Sequence, residues 1–99
     1  MSRFSVYPNP SGKGYLIDLQ SDLMSQLNTR VVAPLVHASD APKPASTLNP
    51  LFNIDGEPYV MVTQFMAAIR ASELKQPVLD ASARHAELVA AVDLVFHGF

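Results

Sequence analysis

Leu51-Phe52-Asn53-Ile54-Asp55-Gly56-Glu57-Pro58-Tyr59-Val60-Met61-Val62 reads as a β-hairpin. Asp55-Gly56 is a strong short turn signal, because glycine accepts the positive φ of a primed turn. Leu51–Ile54 and Pro58–Val62 flank it as strands rich in β-branched and aromatic residues. Upstream, Arg3-Phe4-Ser5-Val6-Tyr7 alternates polar and apolar, the period of a half-buried strand. A run of turn formers, residues 8–14, separates it from a second strand at Tyr15-Leu16-Ile17-Asp18-Leu19. Residues 20–30 are polar and interrupted, with Leu23, Met24 and Leu27 as exposed apolar candidates. Arg30-Val31-Val32-Ala33-Pro34-Leu35-Val36 suits a central strand, although Pro34 cannot donate to a ladder and argues for an edge or a bulge. Residues 37–50 hold three prolines and read as a loop.

Downstream of the hairpin, Phe65 to Ala71 reads as a short turn running into a strand. Asp80 to Phe96 changes character: it is Ala-rich, lacks Gly and Pro, and favours helix. Asp80 or Ser82 can cap its start, and Gly98 can end it in the left-handed conformation. Leu88, Val92 and Val95 share one side, while Val89, Ala90 and Phe96 lie off it, so the helix has more than one face to bury. The fold class expected is mostly β (α+β), a small barrel with a C-terminal helix, as a single domain over residues 1–99.

Composition narrows the function. Charged residues make up 16% of the 99, against roughly 25% in an average domain. A small protein so poor in charge is expected to cover a face with a partner or a second copy. The net charge is −2, and the seven Lys and Arg form no run. A nucleic-acid backbone calls for a basic patch, so a protein partner is favoured. Without cysteine there are no disulfides, thiolate zinc sites or Cys nucleophiles. No signal peptide is expected at Met1–Pro10, and no apolar stretch approaches the roughly 20 residues that cross a bilayer. A cytoplasmic protein that uses no membrane is the expectation.

The ending Leu94-Val95-Phe96-His97-Gly98-Phe99 resembles that of the CcdB toxins, in which a helix leads into Phe-Trp-Gly-Ile. Asp18-Leu19-Gln20-Ser21-Asp22-Leu23-Met24 resembles the family's Asp-Val-Gln-Ser-Asp-Ile-Ile. Arg30-Val31-Val32-Ala33-Pro34-Leu35 follows at the family's spacing and is similar to its Arg-Met-Val-Ile-Pro-Leu. Phe4-Ser5-Val6-Tyr7 and Tyr59-Val60-Met61-Val62-Thr63 match further stretches, so the resemblance covers essentially the whole chain.

The resemblance implies an SH3-like β-barrel with a C-terminal helix, and a homodimer with the helices near its axis. It implies the toxin of a type II toxin–antitoxin system of the plasmid-maintenance kind. Such toxins insert the terminal residues of both subunits into the DNA gyrase A subunit and trap the enzyme on cleaved DNA. A disordered CcdA-like antitoxin wraps the toxin and extracts it from gyrase. DNA is met only indirectly, through the antitoxin complex that represses its own transcription. The family's gyrase contacts fall on Leu23, Met24, Asp93, Phe96, His97, Gly98 and Phe99. Three of them depart from the family's pattern: His97 stands for a Trp, Asp93 for an Asn and Phe99 for an Ile. The Trp matters as a wide ring that stacks on a gyrase arginine. Histidine offers a smaller ring, and Phe99 supplies an aromatic face two residues later.

The sequence offers no catalytic constellation. His37, His85 and His97 are far apart, no HExxH or phosphate-loop pattern occurs, and no carboxylates show a paired spacing. No catalytic residue, metal ligand or cofactor is expected. Two alternatives stand beside the gyrase reading. One is a MazF-like endoribonuclease on the same barrel, for which Arg30, Arg70 and His37 could supply pieces. The other is a binding barrel without toxicity, because His97 replaces the Trp.

Overall fold

The computed structural model describes residues 2–98. Its strands are β1 (Ser5–Pro8), β2 (Tyr15–Asp18), β3 (Thr29–His37), β4 (Leu51–Ile54), β5 (Glu57–Met61), β6 (Ala67–Arg70) and β7 (Leu79–Asp80), followed by helix α1 (His85–His97). All pairings are antiparallel and run in the order β4-β5-β3-β2-β1-β7, with β6 also on β3. The sheet therefore curls into a half-barrel around β3, as the expected mostly-β barrel with a C-terminal helix requires.

The Asp55-Gly56 turn forms as read, with Asp55 at φ 54 and Gly56 at φ 79. The turn before β6 lies over Thr63–Phe65, mostly ahead of the Phe65–Ala71 span, and the strand expected there is β6. Four expectations need correction. β1 is not half-buried: Ser5, Val6 and Tyr7 are all covered. Val6 joins Ile17, Ala33, Leu35, Met61 and Leu88 in the main core, whereas Tyr7 packs with Leu16, Val32 and Leu74 on the opposite face. A sheet covered on both faces loses the period-2 alternation.

Pro34 is neither at an edge nor in a bulge. β3 pairs β2 on one side; on the other, residues 29–32 pair β6 and residues 35–37 pair β5. Pro34 lies at the seam between those two partners, and its carbonyl accepts Val62 N–H at 2.9 Å. In an extended strand a residue's N–H and C=O point the same way. The missing donor thus faces the seam and leaves the β2 ladder intact.

The helix starts later than Asp80. Asp80 closes β7 and its Oδ1 accepts Ser82 N–H at 2.9 Å, but Ala81 is the N-cap of the 3₁₀ turn Ser82–Arg84 and Arg84 that of α1, so neither Asp80 nor Ser82 caps the helix. Leu88 and Ala91 are buried, with Val89 and Val92 packed beside them. The core face thus differs from the Leu88/Val92/Val95 stripe, since Val95 faces solvent. Gly98 ends the helix at φ 75, donating its N–H to Leu94 O at 3.0 Å.

Between β2 and β3 the core encloses an ion pair. Arg30 Nε and Nη2 lie 2.9 and 2.7 Å from Asp18 Oδ2, and the side chains are 1% and 0% exposed. Asp18 Oδ1 accepts Gln20 N–H at 3.0 Å. Burial pushes the Asp18 carboxyl up, and the Arg30 and Gln20 donors oppose that rise. Burial, and next the Asp18 charge, likewise raise the nearby Tyr7 hydroxyl.

Removing one partner of a buried pair leaves an uncompensated charge. Asp18→Asn is expected to lower stability by about 3–5 kcal/mol in urea denaturation. Breaking the exposed Arg84–Glu87 pair with Arg84→Ala removes under about 1 kcal/mol of ion pairing. Gly14 supplies a second test: a Cβ there would sit 2.5 Å from Leu35 O at φ 71, whereas one at Gly12 meets nothing within 4 Å. Gly14→Ala should cost about 3 kcal/mol and Gly12→Ala about 1 kcal/mol, compared by thermal unfolding.

Candidate functional site

The stretch Asp18–Met24 leaves β2 and forms a single 3₁₀ turn over Asp22–Met24. Ser21 Oγ accepts Leu23 N–H at 3.2 Å, capping the turn, and Asp22 Oδ1 accepts Arg3 N–H at 2.8 Å. Arg3 Nε donates to Leu19 O at 3.0 Å. Through these ties the turn projects its apolar residues outward: Leu23 is 92% exposed and Met24 50%. Exposure this high on a tied turn excludes a role for Leu23 as an anchor of its own loop to the core.

Leu23 rims a depression of about 340 Å³ shared with Arg3, Phe4, Ser21, Asp22, Ser82 and His85. Phe4 forms its floor in an unusual conformation, with φ 71 and its ring 1% exposed. A bulky residue adopts positive φ only where its surroundings demand it. Here Phe4 donates to Asp18 O at 2.6 Å and accepts from Ala81 N–H at 2.9 Å, so it bridges β2 to the chain entering α1. Its ring meets His85 edge-on with centroids 5.5 Å apart, and the Arg3 guanidinium lies 4.7 Å from its centroid.

The other expected contact residues lie at the far end of α1. Asp93, Phe96, His97 and Gly98 are exposed, Phe96 at 67%, so the Phe96 ring is not packed on its own barrel. Asp93 and His97 share a helix face, yet no hydrogen bond or ion pair joins them among the described residues. Phe99 lies outside the described residues. At 1.5 Å rise per residue, Phe96 is about 16 Å along the axis from His85 beside the Leu23 depression. Within one chain the two groups thus form separate apolar ends, one at a turn and one at a helix terminus.

The residues named for ribonuclease chemistry do not converge. Arg30 is fully enclosed by its pairing with Asp18. Arg70 pairs across from Thr29 and His37 across from Tyr59, at opposite ends of β3. A strand of that length separates them by about 26 Å. His37 is engaged locally: Nε2 lies 2.9 Å from Glu57 Oε1, and Nδ1 accepts Ser39 N–H at 3.1 Å. Among the described residues no group of His, Asp or Glu could hold a metal, and no helix is long and apolar enough to cross a membrane.

Gln20, which is 7% exposed, carries no local signal in the sequence. Nor do Asp18 and Arg30 show a common role there. Their separation of twelve positions carries no periodic signal, because a sheet pairing brings them together.

The fold is similar to that of the Mycobacterium tuberculosis toxin MazF-mt6, with 15% sequence identity, 96% of each chain covered and a TM-score of 0.70. The family model described as CcdB protein matches residues 3–98, which takes in both apolar ends and the ion pair beneath the turn. With nearly its whole length matched, this chain belongs to the CcdB family, the toxins of toxin–antitoxin systems.

Proposed function

We propose that the protein binds the DNA gyrase A subunit and holds the enzyme on cleaved DNA, and that a CcdA-like antitoxin neutralises it. The observation that carries this reading is the presentation of Leu23 and Met24. The family's contact stretch holds them out in solvent on a capped, hydrogen-bonded turn, where they do nothing for their own core. Phe96, His97 and Gly98, at the exposed end of α1, form the second contact, and Phe99 extends it. Asp93 lies one turn earlier on the face of His97.

The protein acts without catalytic residues, as a wedge rather than an enzyme. It works as a homodimer in this reading: α1 leaves Val95 and Phe96 uncovered, and a second copy presents the same tip across a twofold axis. In this reading His97 takes the sequence position of the Trp that the family stacks on an arginine, and Phe99 that of its terminal Ile.

Purified gyrase and supercoiled plasmid test the proposal. Addition of the protein should accumulate protein-linked linear DNA, and deleting Gly98 and Phe99 should abolish it. Leu23→Asp should weaken binding to the A subunit at least tenfold, since a charge replaces an apolar contact, with an unchanged melting temperature. Cleavage of RNA in the absence of gyrase would overturn the reading in favour of a ribonuclease. Absence of both activities, with no growth arrest on expression, would leave a non-toxic binding barrel.

A further inference from the structure

The carboxamide of Gln20 is a working part of the sheet. β2 ends at Asp18, and the last main-chain bond along this edge of β3 runs from Leu19 N–H to Val31 O at 2.9 Å. Beyond it the chain turns away, and Gln20 Oε1 accepts Val31 N–H at 3.0 Å, where a strand carbonyl would otherwise stand. The other end of the same group, Nε2, donates to Met24 O at 3.0 Å. The Gln20 main chain is held as well: its N–H donates to Asp18 Oδ1 at 3.0 Å and its carbonyl accepts Arg30 Nη2 at 3.3 Å. Four bonds converge on one nearly buried residue, and one of them ends on the exposed turn.

We infer that Gln20 is a positioning residue for the partner contact: it locks the Leu23–Met24 turn to β3, so that Leu23 meets its partner already ordered. This rests on the proposed role of Leu23 and Met24. A loose turn would have to be ordered on association, and that entropy is subtracted from affinity. The side chain suits the task because an amide carries an acceptor and a donor on one rigid plane. Glutamate keeps an acceptor for Val31 but turns a second oxygen towards Met24 O. Asparagine keeps the amide but is one methylene shorter.

Gln20→Glu, Leu23→Ala and the double variant, in the full chain, can be titrated calorimetrically against purified DNA gyrase A subunit. Leu23→Ala should lose at least tenfold in affinity. Gln20→Glu should lose roughly five- to tenfold, the effect of about one hydrogen bond, with faster amide exchange at Leu23–Leu27. In the Leu23→Ala background Gln20→Glu should change affinity less than twofold, because the side chain it positions is gone. Gln20→Asn gives the same reading if Gln20→Glu does not fold. Full additivity of the two losses, or wild-type affinity in the Gln20 variants, would overturn the positioning role while leaving the Leu23 contact in place. A Leu23→Ala variant that binds normally would instead remove the contact itself, and the positioning role with it.

Discussion

The enclosed pair of Asp18 and Arg30 is the constraint around which the molecule is arranged. Desolvating two charges is costly, and the pair is stable only because its geometry is close and its remaining oxygen is also bonded. Arg30 Nη1 is the one buried side-chain atom without a partner among the described residues. Such a pair is specific more than it is stabilising. It admits one register between β2 and β3, in which Asp18 faces Val32 and Leu16 faces Pro34. From that register follow the seam at Pro34 and the point at which β2 gives way to the turn.

The turn inherits its rigidity from the same place. Asp18 holds the Gln20 amide, Arg30 holds its carbonyl, and the Gln20 side chain reaches both β3 and the end of the turn. The outer ties, from Ser21 and Asp22, then complete it. An apolar side chain in water is ordinarily free to collapse onto its own surface. Leu23 does not, because every polar position of the stretch around it is committed to holding the main chain away.

Much of the fold was legible in local chemistry. Asp55-Gly56 named its turn, Gly98 named the end of the helix, and the Ala-rich run from Asp80 to Phe96 named the helix itself, though not its start at His85. What escaped depended on neighbours distant in sequence. The even burial of Ser5, Val6 and Tyr7 needs a second covered face, supplied by Leu74 and Ile69. The place of Pro34 needs two strands that share one side of β3. The exposure of Leu23 and Met24 could be read, since apolar residues in a polar stretch stand out, whereas the helix stripe did not sort Phe96, because Val95 on it is exposed and Val89 off it packs on the core. The work of Gln20 could not, because a side chain that replaces a strand carbonyl leaves no pattern of spacing.

The outward projection of Leu23 has an evolutionary side. A side chain left almost wholly in solvent can be exchanged with little effect on folding, so its identity is free to follow the shape of whatever it meets. Gln20, Ser21 and Asp22 have no such freedom, since altering any of them loosens the platform. Divergence within this family is therefore expected to separate into two tempos: drift at the apex as targets differ, and stasis in the polar residues beneath it.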